Sequence, residues 1–265
     1  MAAIKILFLG DLVGQPGMRA LFAGLASLKA ETGAHLVAVN GENLAEGFGL
    51  VPRDAENLFG LGVSVITSGN HVWQREDVYP LLDSEPRLLR PANYPAGVPG
   101  HGTVVVRAAG TDVGFMNILG QQRMGAAVDC PFKTARKAAA ELSKAARCIV
   151  LDFHAEDVRE KEAMAAHMDG RVSAILGTHT HVTTTDERIL PGGTAYVTDV
   201  GMCGPSGSVI GTNPDLSMKR ALTQMPLRME VLDSPGVLNG VLLELDADTG
   251  KALSVERVAG KPEGG

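Results

Sequence analysis

The sequence predicts an α/β fold with added antiparallel strands, and three features of its apolar pattern lead to that prediction. Short apolar runs alternate with helix-like segments along most of the chain, which is the pattern of βαβ units. Several of these runs are continuously apolar, as expected for strands that are buried on both faces. Two further pairs of strand-like runs are joined by turn residues, which adds antiparallel hairpins to the predicted sheet.

The predicted elements follow one another in a regular order from the N-terminus. Strand-like runs occupy residues 4–10, 35–40, 63–69, 148–153, 172–177 and 194–200. Helix-like runs occupy residues 16–33, 52–62, 131–148 and 159–170. A proline opens each of the first two helices and a glycine closes it, as is typical of helix ends. The two hairpins are predicted over residues 102–119, with the turn at 109–112, and over residues 236–258, with the turn at 246–250.

A short helix after Pro214 interrupts the strand pattern between residues 211 and 231. We interpret this segment as a cap over a site. The chain of 265 residues shows no internal repeat and no low-complexity linker. We therefore expect a single domain over residues 1–265, with the cap segment around residues 211–230.

Composition and charge exclude several classes of protein. With 45% hydrophobic and 20% charged residues, the chain has the composition of an ordinary globular protein. Its formal net charge of −6 argues against a stable nucleic-acid-binding surface. An anionic substrate is still compatible with this charge, because bound metal ions can reverse its sign locally.

The cysteines and the N-terminal segment indicate a cytoplasmic protein. Cys130, Cys148 and Cys203 are odd in number and form no C-x-x-C motif, which fits a reducing compartment. The apolar run at the N-terminus is broken by Asp11, so it is too short and too acidic for a signal peptide or a transmembrane helix. We expect no association with a membrane.

Polar side chains follow five of the predicted strands, and their positions predict a metal site. The residues are Asp11, Glu42 with Asn43, Asn70 with His71, His154, and His179 with His181. Ligands bind at the carboxyl ends of the strands in open α/β sheets, so we expect these side chains to converge. His179 and His181 lie one residue apart, and in an extended segment such residues point the same way. Each residue alone has an ordinary explanation as a cap or turn residue, but polar side chains at five strand ends of one sheet are costly to bury unless they bind something.

The types of donor narrow the identity and number of the metal ions. Neutral imidazole, carboxylate and amide oxygen together suit iron, manganese or zinc. The set is too large for one tetrahedral ion and instead suits two ions about 3.5–4 Å apart, with one carboxylate as a bridge. Two divalent cations against Asp11 and Glu42 leave a net positive pocket. Such a pocket would attract the oxygens of a phosphate.

Six motifs together span nearly the whole chain. They are ILFLGDLVGQPG, NGENLAEGFG, ITSGNHVW, DFHAE, GTHTHV and GTAYVTDVGMCGP. In order and content they resemble the calcineurin-like metallophosphoesterases, and more closely the bacterial YmdB family. The resemblance implies a four-layer αββα metallophosphoesterase sandwich. It also implies hydrolysis of phosphodiesters, notably 2′,3′-cyclic nucleotides.

The chain departs from the general superfamily pattern in two motifs. The first motif is usually D-x-H, but Val13 stands in place of the histidine. The second is usually G-D-x-x-D-R, but here it reads NGEN. The resemblance to the YmdB family therefore implies that Glu42 is the bridging carboxylate and Asn43 the replacement ligand. It implies one ion held by Asp11, Glu42, Asn43 and His181, and a second ion held by Glu42, Asn70, His154 and His179.

A hydrolytic mechanism follows from this predicted site. A water that bridges two cations loses a proton near neutral pH and attacks phosphorus in line with the leaving oxygen. His71 is adjacent to the predicted ligand Asn70 and is not needed for coordination, so it is the natural general acid for the leaving oxygen. The alternative role of His71 is to orient the ligands.

The leading hypothesis is a dinuclear metal phosphodiesterase that acts on a small nucleotide, with iron or manganese preferred over zinc. A phosphomonoesterase or protein phosphatase would use the same metal site, and a comparison of substrates separates these activities. An alternative of another class is a regulatory protein that senses a ligand at this site and engages a partner such as an RNA-processing enzyme. The sequence leaves the formation of a homo-oligomer open.

Overall fold

Strands alternate with helices through most of the structure, a computed structural model that describes residues 3–260. The strands within those residues are β1 (Ala3–Val13), β2 (Leu36–Asn43), β3 (Val65–Thr67), β4 (Thr103–Ala108), β5 (Thr111–Leu119), β6 (Cys148–His154), β7 (Ala174–Thr178), β8 (Arg188–Ile189), β9 (Ala195–Val197), β10 (Met202–Pro205), β11 (Gly236–Asp246) and β12 (Ala252–Gly260). The α-helices are α1 (Gly14–Thr32), α2 (Pro52–Gly60), α3 (Tyr79–Ser84), α4 (Pro131–Leu142), α5 (Val158–Met168) and α6 (Pro214–Thr223). A 3₁₀ turn, Glu76–Val78, precedes α3.

The strands form two six-stranded sheets. The first sheet has the order β12-β11-β10-β1-β2-β3, and β1 also pairs with β11. The second sheet has the order β4-β5-β6-β7-β9-β8. Strands β1, β2 and β3 run parallel in the first sheet, and strands β5, β6, β7 and β9 run parallel in the second. The carboxyl ends of each parallel set therefore meet at one edge of its sheet.

A core of apolar side chains joins the two sheets face to face. Phe8 and Ala38 of the first sheet pack in this core with Phe115 and Val150 of the second sheet, and all four are fully buried. Alternate strand residues such as Leu7 point to the opposite face, where α1 and α2 cover the first sheet. Helices α4 and α5 cover the outer face of the second sheet in the same way. The predicted four-layer αββα sandwich is thereby confirmed.

The predicted hairpins are confirmed as β4–β5 and β11–β12, whereas three predicted elements need correction, among them the strand predicted over residues 63–69, which is reduced to β3. The helix predicted over residues 131–148 ends at Leu142, because the chain must turn back before Cys148 pairs with Val113 in the sheet. The strand predicted over residues 194–200 is reduced to β9. Beyond β9, the N–H groups of Thr198 and Asp199 donate to side chains instead of a neighbouring strand.

Helix α6 lies on the surface, and none of its residues is buried. It begins at Pro214, as predicted, because the side chain of Asn213 accepts hydrogen bonds from the N–H groups of Asp215 and Leu216. Throughout residues 3–260, the helices are all too short or too polar to cross a membrane.

Candidate metal centre

The seven predicted ligands lie together at the carboxyl ends of the parallel strands. Asp11 lies near the end of β1, Glu42 and Asn43 end β2, and His154 ends β6. The remaining three, Asn70, His179 and His181, follow β3 and β7 within a few residues. Both sheets therefore contribute to one cluster, and the expectation that the five strand ends belong to one sheet is wrong.

His154 stands at the centre of the cluster, and its ring is fully buried. Its Nε2 atom lies 2.9 Å from Glu42 Oε1, 3.1 Å from Asn70 Oδ1 and 3.0 Å from His179 Nδ1. Glu42, His154 and His179 can offer ligand atoms that all lie within 4.8 Å of one another. Such spacing between a carboxylate and two imidazoles suits a single bound cation.

The other half of the cluster is built around the buried carboxylate of Asp11. Its Oδ1 lies 3.9 Å from His154 Nδ1 and 3.9 Å from His181 Nε2, and it accepts no hydrogen bond within residues 3–260. His181 donates from Nδ1 to the carbonyl of Ile210 at 2.8 Å, which leaves the lone pair of Nε2 directed at the cluster. A buried carboxylate oxygen without a partner is costly, and a cation would satisfy it. The donors present therefore fit divalent metal ions.

The two histidines after β7 reach the cluster through a turn and not through an extended segment. Strand β7 ends at Thr178, and His179 and His181 have φ angles of 98° and 63°. The prediction that an extended segment points both rings the same way is therefore wrong. A residue other than glycine whose backbone φ lies in the left-handed region is strained by about 1–3 kcal/mol. The surrounding structure must therefore hold this turn in place.

An ion pair beneath the turn supplies that support. Lys161 of α5 and Asp199 are each 1% exposed, and Lys161 Nζ donates to Asp199 Oδ2 at 2.8 Å and to the carbonyl of Thr178 at 2.9 Å. Asp199 also accepts hydrogen bonds from the backbone N–H and the hydroxyl of Thr180. The pair thus joins α5 to the segment that carries both histidines.

Replacing Lys161 by methionine is expected to destabilise the protein by about 3–5 kcal/mol, because it leaves the charge of Asp199 buried without its partner. Urea denaturation followed by circular dichroism measures this difference. The matched control is Lys144→Met, which removes an ion pair with Glu141 on the surface. That control should leave the stability unchanged, since exposed pairs contribute little. A Lys161→Met protein as stable as the control would contradict the supporting role.

Glu42 and His154 form an ion pair that balances part of the charge of the cluster. Burial alone would raise the pKa of Glu42, but contact with His154 dominates and lowers it to about 2. Burial likewise opposes the charge on His154, but Glu42 and Asp11 raise the pKa of that imidazole to about 9. Burial raises the pKa of Asp11 to about 6. Burial and the neighbouring His154 lower the pKa of His179 to about 3, so this ring is neutral and has a lone pair for a metal.

Asp152 orients His154, and the sequence reasoning missed it. Its buried carboxylate accepts hydrogen bonds from Thr67 Oγ1 at 2.5 Å, Thr178 Oγ1 at 2.6 Å and Asn40 Nδ2 at 3.2 Å. The hydroxyl proton of Thr178 goes to Asp152, so Thr178 Oγ1 accepts from His154 Nδ1 at 2.8 Å. This arrangement directs Nε2 of His154 into the cluster. The signal in the sequence is a carboxylate two residues before His154, on the same face of an otherwise apolar strand.

Gly69 leaves room for the cluster. A Cβ atom at this position would lie 2.2 Å from the ring of His154 and 2.5 Å from Glu42 Oε2. Any side chain here would therefore displace two of the predicted ligands. The glycine before Asn70 in the GNH motif is thus required by the close approach of β6.

His71 lies at the edge of the cluster and faces a cavity of about 740 Å³. Its backbone N–H donates to Glu42 Oε2 at 3.0 Å, and its ring Nδ1 lies 2.8 Å from Asn43 Oδ1. The side chain is 23% exposed. Burial lowers the pKa of His71, and the nearby charge of Glu42 opposes this effect. Asn43 also contacts His181, because its amide nitrogen Nδ2 lies 3.1 Å from His181 Nε2.

A cluster of carboxylate, imidazole and amide donors at the strand ends of an αββα sandwich defines a metallophosphoesterase. Two sheets supply its ligands, and the donors fit divalent cations. The chain belongs to the family of YmdB-like proteins, because the model of that family matches residues 7–258.

Comparison with relatives places the chain close to several bacterial proteins. It is 41% identical over 255 residues to a 2′,3′-cyclic-nucleotide 2′-phosphodiesterase of Bacillus subtilis (strain 168), with 96% of each chain covered. The crystal structure of a novel phosphatase from Mycoplasma pneumoniae superposes with a TM-score of 0.92 and 38% identity, covering 99% of this chain and 95% of that one. A hypothetical protein from Thermus thermophilus superposes with a TM-score of 0.91 and 36% identity, covering 98% of this chain and 100% of that one.

Proposed function

We propose that the chain is a dinuclear metal-dependent phosphodiesterase that hydrolyses small nucleotide phosphodiesters such as 2′,3′-cyclic nucleotides. One observation carries this proposal: seven side chains of metal-ligating type from five strand ends form one cluster, which includes the unpartnered Oδ1 of Asp11. The name of the Bacillus subtilis relative, a 2′,3′-cyclic-nucleotide 2′-phosphodiesterase at 41% identity, supports the choice of substrate.

The two ions would share the cluster through Glu42. One ion would be held by Asp11, Glu42, Asn43 and His181, and the other by Glu42, Asn70, His154 and His179. The Oε1 atom of Glu42 contacts one residue of each set, which supports this division, since it lies 2.9 Å from His154 Nε2 and 3.4 Å from Asn43 Nδ2. Iron or manganese suits this mixed set of nitrogen and oxygen donors, and zinc is the next choice.

When bound, the ions would neutralise the phosphoryl oxygens and activate the attacking water. The chain itself supplies the proton for the leaving oxygen. Asn43 Oδ1 only accepts, so Nδ1 of His71 donates to it at 2.8 Å, and Nε2 is the atom that donates when the ring is in its protonated, imidazolium form. In a 2′,3′-cyclic nucleotide, that proton would go to the ribose oxygen whose bond to phosphorus breaks.

The cavity over the cluster has the size of a small-molecule site. Its volume of about 740 Å³ falls within the usual range of roughly 300–1,000 Å³ for ligand pockets. Ser217, Arg220 and Ala221 of α6 line one side of it. The cap role of the segment around residues 211–230, within one domain over residues 1–265, is therefore part of this proposal. Cys130, Cys148 and Cys203 are free thiols, which supports the expected cytoplasmic location.

Protein purified without oxygen is expected to contain about two metal ions per chain. Elemental analysis for iron, manganese and zinc measures this number directly. His179→Ala should lose at least one ion, because the ring would hold one of them. His101→Ala is the matched control and should retain both, since His101 is exposed and lies outside the cluster. Full activity with one ion or fewer per chain would exclude the dinuclear mechanism.

A panel of substrates tests the reaction. We expect turnover of 2′,3′-cyclic nucleotides and of nitrophenyl phosphodiesters, with much slower turnover of phosphomonoesters and phosphoproteins. Hydrolysis of monoesters alone would indicate a phosphomonoesterase or a protein phosphatase instead. Metal-ligand variants that lose all turnover and yet keep the cellular phenotype would indicate a regulatory, ligand-sensing role.

A further inference from the structure

Two cavities lie beside the metal cluster and share a wall. The cavity over the cluster measures about 740 Å³, and the adjoining cavity measures about 860 Å³. Six residues line both of them: Glu46, Phe48, Arg220, Met229, Glu230 and Val231. None of the seven proposed metal ligands lines the adjoining cavity. The proposed reaction at the metal ions therefore assigns no function to the adjoining cavity.

Phe48 stands in the shared wall as an exposed aromatic ring on a fixed loop. Gly47 and Gly49 flank it with φ angles of 89° and 82°, a conformation that glycine adopts without strain. The N–H of Phe48 donates to the carbonyl of Ala45 at 3.0 Å, and Arg75 Nε donates to the carbonyl of Phe48 at 3.3 Å. Phe48 is nevertheless 46% exposed. A large apolar ring that is held in place at a cavity and left uncovered is available to contact a ligand in that cavity.

The position of this ring relative to the reaction suggests which part of a ligand it contacts. The centroid of the Phe48 ring lies 5.0 Å from that of His71, the proposed proton donor, in an edge-to-face arrangement. A nucleotide whose cyclic phosphate lies at the metals carries its base one sugar width away. Aromatic side chains stack on any base, because every base has a π face.

Arg220 adds a positive charge to the same wall. It lies exposed on α6, and its guanidinium has no ion-pair or hydrogen-bond partner in the part of the chain from residue 3 to residue 260. Arg228 lines the adjoining cavity as well, and the carboxylate of Glu230 lies in the shared wall. The other charges of this cavity are paired, Arg19 with Asp233 and Arg75 with Glu46. A free guanidinium beside a ligand cavity suits a phosphate group, which it binds through two parallel hydrogen bonds.

We propose that the adjoining cavity binds the nucleoside end of the substrate, with Phe48 stacked on the base and Arg220 bound to a phosphate on the 5′ oxygen. This inference rests on the proposed function, which places the cyclic phosphate at the metal cluster. The 5′ carbon lies at the opposite end of the ribose from the 2′ and 3′ oxygens, so a 5′ phosphate points away from the cluster. The substrate is then a nucleotide with a cyclic phosphate and a second phosphate on its 5′ side. A free mononucleotide and the 3′ end of a short RNA share that chemistry.

Turnover of four compounds tests both contacts. They are a methyl riboside 2′,3′-cyclic phosphate without a base, adenosine 2′,3′-cyclic phosphate, its 5′-phosphorylated form, and a diadenylate that ends in a cyclic phosphate. Phe48→Ala should lower kcat/KM about tenfold on the three adenosine compounds. On the base-free compound, kcat/KM of this variant should stay within about twofold of the wild-type value. Arg220→Gln should lower kcat/KM about tenfold only on the two compounds with a phosphate on the 5′ side. If the wild type prefers the diadenylate to the 5′-phosphorylated mononucleotide, the substrate is the 3′ end of an RNA and not a free mononucleotide.

The controls are Phe22→Ala and Arg136→Gln, which remove an exposed ring and an exposed guanidinium outside both cavities. Both should behave as wild type on all four compounds. Equal losses of the Phe48→Ala variant on the base-free and adenosine compounds would overturn the stacking role, because the ring would then only support His71. If Arg220→Gln lowers kcat/KM equally on compounds with and without a 5′ phosphate, the contact of Arg220 with that phosphate is overturned.

A binding measurement separates this inference from the proposed reaction. Calorimetry on manganese-loaded protein compares 3′-AMP with adenosine 3′,5′-bisphosphate. Phe48→Ala should weaken both about tenfold, and Arg220→Gln should weaken only the bisphosphate. If the wild type hydrolyses none of the four compounds but these losses of affinity appear, the proposed reaction fails and the nucleotide site stands. Affinities of both variants equal to wild type would overturn the site.

Discussion

Replacing Glu42 by glutamine is expected to remove at least one metal ion and to lower kcat/KM by at least about 10³-fold. Glu42 is 1% exposed, and its two oxygens face different partners. Its Oε1 lies 2.9 Å from His154 Nε2, and its Oε2 accepts a hydrogen bond from the N–H of His71 at 3.0 Å. Glutamine keeps the shape of the side chain but turns one of these acceptors into an N–H donor. Asp11 and Glu42 are the only carboxylates among the seven proposed ligands, so the substitution also removes half of their negative charge.

The comparison with Asn43→Ala makes this test specific. Asn43 is a neutral amide that would touch one ion only, so its loss should reduce the metal content and turnover less than Glu42→Gln does. Glu56→Gln, an exposed substitution on α2, is the control for loss of a carboxylate and should leave both quantities unchanged. Metal content, kcat/KM and the circular dichroism spectrum are measured on all three variants. Equal and mild losses for Glu42→Gln and Asn43→Ala would show that Glu42 does not bridge two ions.

Local sequence patterns were sufficient to predict an α/β fold and the composition of the cluster, whereas the four-layer arrangement was implied by the family resemblance. The apolar run of β7 indicates a strand that is buried on both faces, and in the structure helices cover one face of its sheet and the other sheet covers the opposite face. Polar residues at the carboxyl ends of parallel strands meet at one edge of each sheet, whatever the loops between them do. Asp11 and His154 belong to different sheets, so their side chains lie 3.9 Å apart because the two sheets stack with these edges together, which the strand-end pattern alone does not specify.

Features set by long-range contacts could not be predicted in the same way. The turn at His179 depends on Lys161 and Asp199, which lie on other elements, so the sequence around His179 carries no sign of its positive φ. The support of His154 by Asp152 passes through the hydroxyl of Thr178 on a neighbouring strand. Each of these contacts depends on how strands stack side by side, which a local pattern does not specify. The sequence therefore identifies the ligand types better than it identifies the residues that hold them in place.

Replacing His71 by alanine is expected to leave both metal ions bound and to slow the hydrolysis of a 2′,3′-cyclic nucleotide about 10²–10⁴-fold. The leaving group of that substrate is a ribose alkoxide, which requires a proton as its bond to phosphorus breaks. A nitrophenyl diester has a much better leaving group, so the same variant should slow it far less. His71 is placed for the transfer because Asn43 Oδ1 engages Nδ1 at 2.8 Å and the ring lines the cavity over the cluster.

The ratio of these two losses, with the metal content measured in the same preparations, decides the role of His71. His101→Ala is again the control, because it removes an exposed imidazole that is not part of the cluster. A large loss on the cyclic nucleotide and a small loss on the nitrophenyl diester, with two ions retained, identify proton donation. Equal losses on both substrates with the ions retained would assign His71 to binding or to charge stabilisation. Loss of the ions would instead show that its backbone and ring contacts to Glu42 and Asn43 hold the ligands in place, and the proton would then have to come from another group or from water.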